Sequence, residues 1–81
     1  MSDGPASFDQ VVGGLAERLG VTPPTPDEVR DLLALAGVAA HASQRIAAPI
    51  ACWLVARGGI TPADGLALVR EVAAEHGHLK G

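Results

Sequence analysis

His41 and Arg45 stand four residues apart, a spacing that sets both side chains on one side of a helix. Together they could grip a phosphate or carboxylate through charge-assisted hydrogen bonds. The polarity of a helix end opposes that use. Its C-terminus carries partial negative charge, which stabilises the two basic groups themselves and repels an anion. Helix-end stabilisation, with a hydrogen bond to the following loop, is the expected role, and anion binding is the second reading. Arg57, at another expected helix end, carries the same two readings.

Cys52 is the single cysteine. A nucleophilic thiolate needs an adjacent base and an exposed, electropositive setting. His41 is the only candidate base, and no orienting third residue or oxyanion element accompanies it. A small buried apolar side chain is the expected role. Trp53 beside it is either the plug of the core or an exposed hot spot for a partner, and the core is the expectation. His76 and His78, with Glu75, are two residues apart across a helix end without further ligands in register, a pattern too weak for a metal clip. The carboxylates Asp27, Glu28, Asp31 and Asp64 lie near helix starts, where capping and the dipole account for them. Gly13-Gly14 falls inside a helix and Gly58-Gly59 lacks a following Lys-Ser/Thr, so no phosphate-cradling loop is present. Catalytic residues, metal ligands and cofactors are therefore all expected to be none.

Four helices must position these groups. Ser7, with Gln10 three residues on, starts the first. Phe8, Val11, Val12, Leu15 and Leu19 form its apolar stripe, and Gly20 ends it. The interior glycines Gly13 and Gly14 cost about 2 kcal/mol relative to Ala and could admit a closely packed neighbour. Pro23 and Pro24 make a stiff connector. Thr25-Pro26-Asp27-Glu28 opens the second helix with a capping box, a proline at the first position and acid at the positive dipole end. It runs to about Ser43. Val29, Leu32, Leu33, Ala36, Ala39 and Ala40 mark its buried face, and Gly37 makes a narrow surface for tight packing. Pro49 clashes with the carbonyl of Arg45, so the chain kinks or restarts near Ile46 to Ala48. A third helix carries Ile50, Trp53, Leu54 and Arg57 and stops at Gly58-Gly59. Thr61-Pro62-Ala63-Asp64 opens a fourth with Leu66, Val69, Val72 and Ala73 facing inward, and Gly77 closes it. The expected fold is all-α, a compact four-helix bundle-like domain with a Pro-associated kink or break between helices 2 and 3. It is a single domain over 1–81, with 1–6 and 78–81 as frayed tails.

Composition agrees. Of 81 residues, 48% are hydrophobic but only 2% aromatic, which suits helices packed through Ala, Leu and Val. Charged residues make 19% and the net charge is -3, too apolar for disorder and too acidic for a general nucleic-acid binder. One cysteine excludes an internal disulfide framework. No apolar run nears the roughly 18 residues of a membrane span, and the acidic, polar start is unlike a signal peptide. A cytoplasmic protein is expected. Residues up to Ala40 hold six acids and two bases, and the rest hold three acids and four bases. Such a dipolar chain can pair head to tail or dock a partner through one end. A core this poor in large side chains gives marginal stability unless a partner or second copy covers a face.

The stretch from Asp31 to Leu54, DLLALAGVAAHASQRIAAPIACWL, resembles a small bacterial domain family of unknown function. In that family a helix ends in Ala-His-x-x-x-Arg and is followed by Ala-Ala-Pro and a second apolar helix. The resemblance spans roughly Phe8 to Ala74. Its specific part is His41, Arg45, Ala47, Ala48 and Pro49; Ile46 replaces an expected second proline. Members stand alone or are appended to molybdopterin-guanine dinucleotide biosynthesis proteins, the guanylyltransferases of molybdenum-cofactor assembly. The resemblance implies a metabolic neighbourhood and no reaction.

These readings converge on a non-catalytic helical accessory or protein-interaction module, which the resemblance links to that pathway. Its candidate surface is His41, Arg45, Pro49, Trp53 and Arg57, and its partner is a protein or a second copy. The alternatives are a small anionic-ligand domain binding nucleotide or phosphate, and last a regulatory DNA-binding domain. An apolar patch around Trp53 favours the first. A concavity with converging Arg heads favours the second. A basic stripe on one exposed helix favours the third.

Overall fold

The computed structural model describes residues 6–76 as four helices: α1 (Phe8–Leu19), α2 (Pro26–Ala42), α3 (Ala47–Arg57) and α4 (Pro62–His76). No strand occurs among the described residues, and the fold is all-α and bundle-like. The tail expected over 1–6 lies, Ala6 apart, outside the described residues, as do Gly77 and the tail 78–81.

Local chemistry sets the helix starts. The Ser7 hydroxyl accepts from the Gln10 N–H at 3.1 Å, and the Gln10 side chain accepts from the Ser7 N–H at 2.8 Å. Thr25 and Glu28 make the same reciprocal pair at 3.1 and 2.8 Å. At α4 only half the box forms: Thr61 Oγ1 accepts from the Asp64 N–H at 3.1 Å. Asp is one methylene shorter than Glu. The break between α2 and α3 is a restart. Ser43 leaves helical geometry at φ -140°, ψ -100°. The Gln44 and Arg45 carbonyls then accept from Ala47 and Ala48 at 2.9 and 3.1 Å. Pro49 therefore sits in the first turn of α3, where its missing N–H is no loss. Gly20, at φ 71°, ends α1 in a Schellman motif: its N–H reaches Glu17 O at 3.1 Å, and that of Val21 reaches Ala16 O at 3.0 Å.

The core lies where α2 meets α3 and α4. The α2–α4 contact is the most extensive and the α2–α3 contact follows. Among the described residues Leu35 of α2 is the one fully buried large side chain, with Ala39 nearly so. Gly65 of α4 is buried at the three-helix junction. A β-carbon there would stand 2.5 and 2.9 Å from the two γ-carbons of Val55 (α3) and 3.0 Å from Leu35 Cδ1 (α2). Bare backbone is thus what lets α4 approach both partners.

Three expectations about packing need correction. Gly13, Gly14 and Gly37 do not admit a neighbour; a β-carbon on any of them would meet nothing within 4 Å. On α2, Leu33 is mostly exposed while Leu35 takes the buried position. The apolar run from Leu32 to Ala36 allows more than one inward phase, and the partners choose among them. On α1 the stripe Phe8, Val11, Leu15 and Leu19 is more than half exposed, and only Ala16 is buried. α1 makes no contact with another helix comparable to those among α2, α3 and α4. The molecule is accordingly elongated, 51 × 29 × 18 Å.

Candidate functional site

Three of the five candidate residues share one edge of α3. Pro49, Trp53 and Arg57 follow each other at four-residue spacing and are all exposed, since such a series lines one side of a helix. Trp53 is 56% exposed, which corrects its expected place in the core. The inner side of α3 is occupied instead by the smaller Ala51, Cys52 and Val55, each half-buried, because Gly65 brings α4 too near for an indole. The Arg57 guanidinium carbon lies 4.9 Å from the centre of the Trp53 ring, a cation–π stack at the end of the helix.

His41 and Arg45 are not brought into one constellation. His41 occupies the exposed last turn of α2, but that helix ends at Ala42, so Arg45 falls in the connector. Helical four-residue spacing therefore does not relate them. Among the described residues neither side chain makes a hydrogen bond or an ion pair. The expected hydrogen bond from this pair to the following loop is not formed. Among the described residues the ion pairs are on α2, where Arg30 faces Asp27 at 3.3 Å and Asp31 at 3.5 Å. The first is exposed on both sides, where such a pair adds little; in the second the Asp31 side chain is half-buried.

Around Trp53 the outer face of α3 is apolar. Ile46, Ile50 and Leu54, also at four-residue spacing, are more than half exposed. A concavity of about 630 Å³ opens between this row, Pro49 and the end of α2 at Ala39 and Ser43. No charged side chain lines it, and Arg45 and Arg57 do not converge on it. A helix apolar on both its inner and outer faces is characteristically a covered one. This surface can exclude water from a partner's apolar side chains, with Arg57 at one end of the face and Arg45 just before the other.

The remaining chemistry-bearing groups are isolated. Burial pushes the Cys52 thiol above the ordinary cysteine range by desolvating its thiolate, the opposite of the tuning a nucleophile needs. Among the described residues no three His, Cys, Asp or Glu side chains group to hold a metal; His78 of the pair with His76 is outside them. No helix among them is long and apolar enough to cross a membrane. On α4, Arg70 stands alone among Asp64, Glu71 and Glu75, so that helix bears no basic stripe.

The row Ile46, Ile50 and Leu54 was readable from spacing alone, whereas the Arg57–Trp53 stack needed coordinates. No match is found among curated proteins or among solved structures. A family model described as Domain of unknown function (DUF6457) matches residues 3–78, nearly the whole chain, and the protein belongs to that family.

Proposed function

We propose that this chain is a non-catalytic helical module that acts by protein–protein contact through the outer face of α3. The observation that carries the reading is the apolar surface of Ile50, Trp53 and Leu54 on α3 and Ile46 just before it, all more than half exposed while the inner side of the helix is already packed. Apolar side chains clustered in this way mark contact sites. A Trp stacked with an Arg is the composition of an interface hot spot. The resemblance seen in the Ala-His-x-x-x-Arg and Ala-Ala-Pro segments supports a setting in molybdenum-cofactor assembly, as an accessory to an enzyme of that pathway.

The test is cross-linking of the native protein in its own cells, compared with the Ile50→Asp/Trp53→Ser double variant. Both positions face solvent, so the variant should keep its helicity and melting temperature. Loss of the cross-linked species by a folded variant supports the reading. An unchanged set of species overturns it, as would turnover of a substrate by the purified chain.

A further inference from the structure

We propose that the outer face of α3 is covered by α1 of a second copy of this chain, and that the exchange is reciprocal, closing a two-fold dimer. The proposal rests on the contact-surface reading above and names its occupant. Among the described residues there are two unpartnered apolar helix faces, one with four large side chains on α1 and one with three on α3 plus Ile46 just before it, every one more than half exposed. The faces match in length. α1 has 12 residues and α3 has 11, which at about 1.5 Å per residue makes both roughly 16–18 Å long. They also match in area. At roughly 100 Å² for each half-exposed Leu, Ile or aromatic, the two faces offer on the order of 800 Å² per chain. That is the share each partner brings to an interface of standard size, about 1,600 Å² in total.

Charge disfavours pairing α3 with α3. α1 bears Asp9, Glu17 and Arg18, a net of one negative charge, whereas the stretch from Asp31 to Asp64 contains Arg45 and Arg57 and no acid between. Laying α3 on its twin would set arginines against arginines, whereas α1 sets a single arginine, Arg18, beside its apolar face and carries net negative charge. The apolar face of α1 is also not taken up by its own bundle, with which α1 makes no extensive contact. A head-to-tail contact of two different faces could otherwise propagate into a filament, and reciprocal exchange closes it.

The single Trp and the lack of Tyr make Trp53 emission a direct report on the α3 face. Sedimentation and emission are followed from about 1 µM to 1 mM, the span in which a modest interface associates. The expected result is a monomer with red-shifted emission that becomes a dimer with blue-shifted emission. Leu15→Asp on α1 and Ile50→Asp on α3 each weaken the dimer by about 10- to 100-fold or more, the equivalent of burying one Leu or Ile. Leu15→Ala and Ile50→Ala give smaller losses of the same sign. An equimolar mixture of Leu15→Asp and Ile50→Asp chains recovers association, because one sound α1 then meets one sound α3. A dimer indifferent to Leu15→Asp overturns the proposal, as does a mixture that recovers nothing. So does a blue-shifted emission independent of concentration, which would mean that α1 folds onto its own α3. A chain monomeric throughout, with Trp53 emission red-shifted, refutes the exchange alone. Loss of cross-linked species in Ile50→Asp/Trp53→Ser would still uphold α3 as a contact face.

Discussion

Replacing Gly65 by Ala tests the packing of the bundle at its tightest point. Inside a helix Ala is favoured over Gly by about 1 kcal/mol, so an uncrowded site would be stabilised. At Gly65 the new methyl would stand 2.5 and 2.9 Å from the γ-carbons of Val55 and 3.0 Å from Leu35 Cδ1. Overpacking costs about 1–3 kcal/mol. The upper half of that range applies, because β-branched Val55 has one strongly preferred rotamer in a helix and cannot swing aside. The expected net loss is about 1–2 kcal/mol, a fall in Tm of roughly 5–15 °C for a domain of this size. Two companions make the result specific. Gly37→Ala, where a β-carbon meets nothing within 4 Å, should stabilise by up to about 1 kcal/mol. In a Val55→Ala background, Gly65→Ala should lose most of its penalty, giving a coupling of about 1–3 kcal/mol. Urea and thermal unfolding followed by circular dichroism measure all four chains. A Gly65→Ala protein as stable as the parent, or a coupling near zero, would show that α3 and α4 are not in the close contact on which the outward display of Trp53 depends.

Other expectations follow from the caps and the titrating groups. Thr25→Ala should cost about 1 kcal/mol of global stability, because Thr25 starts the helix against which α3 and α4 pack. Ser7→Ala should leave the free energy of urea unfolding within about 0.5 kcal/mol of the parent while speeding amide exchange along α1, since that helix has little contact with the core. Alkylation of Cys52 should lag behind that of a free thiol at neutral pH and catch up only at higher pH, because burial raises its pKa. The folded state then holds the thiol proton more tightly than the unfolded chain. The associated stability is full below the ordinary cysteine range and declines as pH rises through and above it, which unfolding at stepped alkaline pH will register beside Cys52→Ala. The His41→Ala/Arg45→Ala double variant should unfold within about 0.5 kcal/mol of the parent, as both side chains are exposed; a larger loss would restore a structural role to the pair.

What was legible in the chain was local. Ser7-Gln10, Thr25-Glu28 and Thr61 write their hydrogen bonds within three residues, so the helix starts follow from spacing. Pro49 likewise announced the restart of α3. What was not legible depends on distant partners. Gly13, Gly37 and Gly65 are indistinguishable as glycines inside helices, yet only Gly65 meets other helices. Trp53 looked like a core plug because it is large and apolar, but the room beneath α3 is set by how near α4 can come. The stripe of α1 showed that the helix has an apolar side without showing what lies against it. Of the candidate residues, Pro49, Trp53 and Arg57 share one edge of α3, whereas Arg45 lies beyond the end of α2, which spacing alone does not fix.

The arrangement of the core also bears on how quickly the chain can find it. The most extensive pairing joins α2 to α4, and the intervening helix packs onto α2 as well. Bringing the two together requires closure of a single loop, the segment 43–61, and α3 forms within it. The entropy of closing a loop grows only logarithmically with its length, and no far-separated strands have to be registered. Short-range topology of this kind belongs to chains that fold in microseconds to milliseconds. α1 has almost no part in that event, so the rate should be nearly indifferent to changes along it.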